Sequence, residues 1–146
     1  GLSIGALESE AYRMVHGKGV RLLAVDYVQL ITCPAESRLQ EVSQISRRLK
    51  SLAKNLAVPI IALCQLNRAI EGRGLPRPRL SDLRETGQLE QDADQIIFID
   101  RPEVHMPGER VGEADLYVAK NRAGPIMDVR CTWNGRFQRF AGGIPS

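Results

Sequence analysis

Long apolar runs are missing from this 146-residue chain. None approaches the roughly 20 residues a helix needs to cross a bilayer, so no membrane association is expected. Gly1 to Glu10 lacks the basic head and long apolar core of a secretory leader. Cysteine is scarce: Cys33, Cys64 and Cys131 are odd in number and far apart. That argues against a disulfide framework, and with no Cys-x-x-Cys pair or Cys/His cluster it argues against zinc. Reduced structural thiols in a cytoplasmic protein are the expectation. No Ser/His/Asp arrangement and no paired catalytic carboxylates can be defended. His16 and His105 read as surface or loop residues. Internal repeats and low-complexity segments are also absent. What remains fits an ordinary globular domain large enough to bury a core. The net charge of +3 is only mildly favourable to a polyanionic partner.

The chain is organised around Leu22 to Val25, a short continuous apolar run that leads into Asp26. Such a run reads as a strand buried on both faces. A carboxylate at its C-terminal end lies at the sheet edge where open α/β folds bind ligands, and suits a Mg²⁺ held through water. A strand-end aspartate that only caps a turn is the plainer alternative. Leu39, Val42, Ile45, Leu49, Leu52 and Leu56 recur at spacings of three and four, with charged residues between them. This predicts an amphipathic helix packed on a sheet and ended before Pro59. Ile60 to Cys64 is a second apolar strand, followed by Gln65. Strand, helix and strand make a βαβ unit with parallel strands and a right-handed crossover. Asp26 and Gln65 therefore fall at one sheet edge. A glutamine there can contact a terminal phosphate or its attacking water; a polar strand terminator is the alternative.

Around this unit the pattern predicts a helix from Leu2 to His16, ended by Gly17-Lys18-Gly19, and a loop from Thr32 to Ser37. Arg68 to Leu83 is a basic loop, and a short helix opens at Ser81 and runs through Asp92. Strands follow at Gln95 to Asp100 and Glu113 to Ala119, separated by a candidate mobile loop from Arg101 to Gly112. Lys120 to Pro125 is a turn carrying two cations. Lys120 and Arg122 there can contact phosphate oxygens or simply face water. Ile126 to Trp133 and Arg136 to Phe140 flank Asn134-Gly135, a hairpin signal, and Ala141 to Ser146 reads as a tail. The basic loop ending at Arg84 suits a nucleic-acid backbone; lacking aromatics, it does not suit base stacking. A solvated charged loop is the alternative. No Gly-x-x-x-x-Gly-Lys-[Ser/Thr] occurs anywhere. Without that phosphate cradle, either the chain is a fragment that begins after it or it does not hydrolyse nucleotide.

Several long segments carry a resemblance. They are Val25-Asp-Tyr-Val-Gln-Leu30, Glu41 to Lys54, Val58-Pro-Ile-Ile-Ala-Leu-Cys-Gln-Leu-Asn-Arg68, Ser81 to Asp94, and Lys120-Asn-Arg-Ala-Gly-Pro125. From about residue 10 to Phe140 the chain resembles the bacterial replicative DNA helicases of the DnaB family. The resemblance implies an α/β fold: a RecA-like P-loop NTPase core with a mostly parallel sheet flanked by helices and a C-terminal β-hairpin. It implies a motor in a homo-hexamer that moves on single-stranded DNA with ATP and Mg²⁺, unwinding duplex DNA at the replication fork. Primase and a helicase loader are the further partners it suggests. By resemblance Asp26 is the Walker B aspartate and Mg²⁺ ligand, and Gln65 the γ-phosphate sensor. Arg84, Glu85 and Gly87 line the DNA channel. Lys120 and Arg122 reach the neighbouring subunit's ATP. The family's Walker A loop, catalytic glutamate and N-terminal collar domain are expected upstream of Gly1. Residues 1–146 are thus read as the C-terminal portion of the ATPase domain, inactive alone. A non-hydrolysing DNA- or partner-binding module is a rival reading, as is a RecA/RadA-type recombination ATPase. The Asp-Leu-Arg-Glu-x-Gly loop and the Lys-x-Arg turn favour the helicase over the latter.

Overall fold

The computed structural model describes residues 1–66 and 77–143, without the side chains of 84–86. The chain divides into two compact units, Gly1–Asn67 with Leu83–Ala93, and Arg68–Asp82 with Asp94–Ser146.

In the first unit, strand β1 (Leu2–Ser3) leads into helix α1 (Ile4–Lys18). The Ser3 hydroxyl accepts from the Ala6 N–H and so caps the helix. At the other end Gly19 takes the left-handed conformation (φ 66°), and its N–H bonds back into the last turn. The expected helix is therefore real, but starts two residues late because Leu2 and Ser3 pair in parallel with β3 (Ile31–Thr32). Strand β2 is Leu23–Val25, and helix α2 runs Arg38–Leu56, capped by the Ser37 hydroxyl. Strand β4 is Ile60–Ala62, ending before Cys64. β2 and β4 pair in parallel, Leu23 with Ile60 and Val25 with Ala62, as the βαβ pattern requires.

The apolar stripe of α2 forms the core. Ile45 and Leu49 pack with Ile4, Val28, Ile31 and Cys33, while Leu52 and Leu56 pack with Ala11. Leu39, at the first turn, stays 56% exposed. A bidentate ion pair between Arg48 and Glu8 fastens α2 to α1, with Nε–Oε1 2.8 Å. The expectation that the apolar strands are buried on both faces is not met. Leu22, Ile61 and Leu63 are 49%, 51% and 45% exposed. The reason is that β2 and β4 have only each other as sheet partners among the described residues.

A 3-10 segment, Leu80–Thr86, and helix α3, Gly87–Asp92, realise the short helix expected from Ser81. α3 is pinned to α2 by Ser46 Oγ donating to Asp92 Oδ2 (2.7 Å) and by Arg47 donating to Gln88 (3.2 Å).

The second unit carries an antiparallel sheet in the order β5-β6-β7-β8, from β5 (Gln95–Asp100), β6 (Glu113–Asn121), β7 (Met127–Asn134) and β8 (Arg139–Gly143). Its antiparallel part is thus larger than one terminal hairpin. The hairpin itself closes through four residues, 135–138, rather than through Asn134-Gly135 alone. Asn134 acts instead as a cap, its side chain accepting from the Phe137 N–H at 3.3 Å. Ala141 to Gly143, expected as tail, belong to β8 because they pair with β7.

Between β5 and β6 the expected mobile loop contains helix α4 (Pro102–His105) and is tied down. Glu103 accepts from the Gly112 N–H at 2.9 Å, and Trp133 N–H donates to the Gly112 carbonyl at 2.7 Å. Arg101 lies over the Trp133 ring, and His105 faces Asp100 at 3.2 Å. Arg110 forks onto Asp115 at 2.7 and 2.8 Å and reaches Glu113 at 2.8 Å. These ion pairs and hydrogen bonds hold a segment whose Pro102, Pro107 and Gly108 had suggested mobility. Among the described residues no helix is long and apolar enough to cross a membrane.

Asp115 is buried, and the Arg110 guanidinium, aided by the Tyr117 hydroxyl, holds its carboxyl below the usual range. Burial beside Asp115 in turn pushes the Tyr117 phenol up to about 12. A depressed carboxyl stabilises the fold above its unfolded pKa, and that contribution is lost as pH falls through the folded value. Arg110→Met should therefore lower stability at pH 7 by about 2 kcal/mol. The gap to the wild type should begin to narrow near about pH 4 and close as pH falls through the depressed folded value, where Asp115 protonates. Thermal melting across pH measures this; a gap independent of pH from 7 to 3 would refute the role given to Asp115.

Candidate functional site

The site begins where β2 ends. Asp26 follows Val25 directly, its peptide to Tyr27 is cis, and its side chain is exposed. Among the described residues the Asp26 carboxylate has no hydrogen-bond or ion-pair partner. Val28 then turns inward and is fully buried, which anchors the 3-10 turn Val28–Leu30 in the core. Its N–H donates to the Leu63 carbonyl (2.9 Å), and the Leu63 N–H donates to the Val25 carbonyl (2.9 Å). The two strand ends are thus stitched together beyond the last paired residues. Gln65 lies just beyond the neighbouring strand β4, at the same edge, and is exposed.

Periodicity gave no hint of Gln29. Its Nε2 donates to the Gln65 carbonyl at 2.9 Å, and its Oε1 accepts from the Gln65 N–H at 3.4 Å. Nε2 also lies 3.0 Å from Cys64 Sγ. Burial pushes the Cys64 thiol up, while the Gln29 contact opposes this. The Gln29 carbonyl accepts from Arg38 Nη2 at 2.7 Å. Arg38 pairs with Glu41 at 2.5 Å, and Glu41 accepts from the Cys33 N–H at 3.0 Å. The Cys33 amide, then Arg38, hold the Glu41 carboxyl below its ordinary value. The first turn of α2 therefore grips the loop that carries Asp26.

Chemically, one unpaired hard-oxygen ligand at a strand edge suits Mg²⁺, which keeps most of its waters. Among the described residues no group of three or more His, Cys, Asp or Glu could hold a metal. Asp26 alone fits a water-mediated contact rather than an all-protein cage.

Of the other expected site residues, Gly87 opens α3, with open space where a Cβ would sit. Among the described residues, packing does not demand glycine there. The side chains of Arg84 and Glu85 lie outside the described residues, as does the part of the basic loop from Arg68 to Pro76.

Lys120 and Arg122 belong to the second unit. Lys120 is in β6 opposite Ile96, not in the turn, because pairing with β5 persists to Asn121. The register shifts between Ile96 and Ile97, so Ala119 is the extra residue of a β-bulge, a feature that re-aims the side chains after it. Arg122 lies in the turn, its N–H donating to the Asp94 carbonyl (2.9 Å) and its guanidinium 3.4 Å from the Asp94 carboxylate. Asn121 shapes this turn. Its amide donates to the Pro125 carbonyl (3.1 Å) and accepts from the Ala123 N–H and from Gln95 (both 3.2 Å). A Cβ at Gly124 would meet the Asn121 amide nitrogen at 3.0 Å, so a side chain there would push the Asn121 amide by a few tenths of an ångström. A hollow of about 340 Å³ on the antiparallel sheet, lined by Arg77, Tyr117, Met127 and Asp128 among others, includes none of the expected site residues.

Asn121→Ala should loosen the turn while leaving the sheet folded. The Ala123 amide should exchange about ten-fold faster, corresponding to one hydrogen bond of about 1.4 kcal/mol. Exchange at Ala123 matching the wild type would show that the turn does not depend on Asn121.

Comparison with known proteins places the chain in a family. The family model described as DnaB-like helicase C terminal domain matches residues 1–142. The replicative DNA helicase DnaB of Haemophilus influenzae is 48% identical over 144 residues, covering 96% of this chain and 31% of that protein. The Pasteurella multocida protein of the same name is 49% identical over 144 residues, with the same shares covered. The chain thus spans about a third of the length of these relatives. Among solved structures, one ATPase domain superposes with a TM-score of 0.91 at 38% identity, covering 97% of this chain and 51% of that one. A DnaB-like replicative helicase, described with its interactions with primase, gives 0.90 at 38% identity, covering 97% and 36%. The chain belongs to the family of DnaB-like helicase C-terminal domains.

Proposed function

We propose that this chain is the C-terminal portion of the RecA-like ATPase domain of a replicative helicase, which moves on single-stranded DNA by hydrolysing ATP and so unwinds the duplex. One observation carries the reading. In a chain of this family, an unpaired carboxylate, Asp26, and a glutamine, Gln65, stand at adjacent parallel strand ends stitched by main-chain hydrogen bonds. Asp26 holds Mg²⁺ through water, and Gln65 senses the γ-phosphate. The exposed Ile61 of β4, with Leu22 just before β2 and Leu63 just after β4, supports placement within a larger domain. Arg84, Glu85 and Gly87 contact the DNA backbone, and the docking of α3 on α2 supports a firm base for that loop.

The motor is a hexamer in which Lys120 and Arg122 act on ATP bound by the adjacent subunit. Charge builds on the γ-phosphoryl oxygens in the transition state, and a held guanidinium stabilises it. The Asp94 and Asn121 hydrogen bonds support this by shaping the turn that presents Arg122. Primase and a helicase loader are proposed partners, the former because a relative is described with primase.

In the full-length protein, Asp26→Asn should abolish ATP hydrolysis, and Arg122→Ala should lower it about 10³-fold or more. Rings mixed from the two variants should regain ATPase activity, since some interfaces pair an intact Asp26 with an intact Arg122. Mixed rings that stay inactive, while wild-type subunits titrated with Arg122→Ala lose activity only in proportion, would refute action in trans.

Arg84→Ala should weaken single-stranded DNA binding about equally for different sequences. It should also reduce the salt slope by roughly 0.7 for each phosphate that is no longer neutralised. A sequence-dependent weakening with unchanged slope would instead mean base recognition.

A further inference from the structure

We infer that Gln29 is a positioning residue that places the main chain of Gln65, and through it the Gln65 side chain, relative to Asp26. The inference rests on the reading of Gln65 as a nucleotide sensor and adds the device that sets its position.

A side-chain amide carries one donor face and one acceptor face, as a peptide group does. Gln29 uses both on a single residue, 36 positions away: Nε2 to the Gln65 carbonyl at 2.9 Å, and Oε1 from the Gln65 N–H at 3.4 Å. It thus substitutes for a strand neighbour at a point beyond β4, where β2 has already ended and the parallel ladder cannot continue. Gln29 is itself held from two sides. Val28, next to it, is buried and bonded to Leu63, and Arg38 of α2 grips the Gln29 carbonyl at 2.7 Å. The Gln65 main chain is in this way coupled to the loop carrying Asp26. A shift of one strand end should move the other. Without Gln29 the peptide of an exposed residue would be held by solvent alone on that side, and its side chain would sample many positions at a cost to coupling.

The experiment uses full-length helicase carrying this segment, with Gln29→Met, Gln65→Ala and the double variant. It reads kcat and KM for ATP with and without single-stranded DNA, together with amide exchange at Gln65. Gln29→Met keeps the side-chain length but removes both amide bonds to Gln65, together with the Nε2 contact to Cys64 Sγ. It should reduce DNA stimulation of kcat to the level of Gln65→Ala, leave KM for ATP within about two-fold, and speed exchange at the Gln65 amide. The double variant should be no worse than Gln65→Ala, because the two changes act through one side chain. Full stimulation in Gln29→Met beside its loss in Gln65→Ala overturns the inference, as do losses that multiply in the double variant. If Gln65→Ala keeps normal stimulation, the sensor reading fails by itself. Exchange at Gln65 then decides the positioning role, and an unchanged rate in Gln29→Met overturns it. Should Gln29→Met not fold, Gln29→Glu retains size and one acceptor but sets oxygen against the Gln65 carbonyl. Stimulation should again be lost, and its full retention overturns the inference.

Discussion

The parallel pairing of Leu23–Val25 with Ile60–Ala62 is the constraint on which the first unit depends. Parallel strands cannot be joined by a tight turn, so a long crossover must lie between them. Here that crossover contains α2, whose apolar stripe joins Ile4, Val28 and Ile31 in one cluster and Ala11 in another. Because the strands run the same way, whatever follows each of them arrives at the same edge. Asp26 and Gln65 fall at one edge for that reason, although 39 positions (65 minus 26) separate them.

Beyond the paired residues the ladder must end, yet its polar groups still need partners. Main-chain bonds from Val28 and Leu63 take the first step, and the Gln29 amide takes the next. The helix that makes the crossover possible also stabilises this extension, since Arg38 and Glu41 of its first turn bind the Gln29 carbonyl and the Cys33 N–H. Packing, capping and site geometry are three consequences of one βαβ unit. The second unit solves a comparable problem with charge. Arg110 joins Asp115 and Glu113, and Asn121 closes the turn that bears Arg122.

The family to which the chain belongs was legible in long ordered segments such as Val25 to Leu30 and Lys120 to Pro125. Positions of single side chains were less so. Lys120 looked like a turn residue because Gly124-Pro125 follows it, but cross-strand pairing with Ile96 keeps it in β6. Asn134-Gly135 looked like a complete turn, but the register of Trp133 with Phe140 and Asn134 with Arg139 requires four loop residues. In each case local turn chemistry was outweighed by pairing with a strand distant in sequence.

By itself the sequence determined α2, the two apolar strands and their parallel sense. Apolar spacing reports which face of an element is buried, and two short strands around a long helix admit few arrangements. Only the tertiary structure decided that Gln29 reaches Gln65, that Asn121 shapes the Arg122 turn, and that Leu22, Ile61 and Leu63 remain exposed. The physical reason is that burial periodicity is averaged along one element. A hydrogen-bond partner, or a neighbouring strand that covers a face, is specified by register in three dimensions between residues that the chain itself keeps far apart.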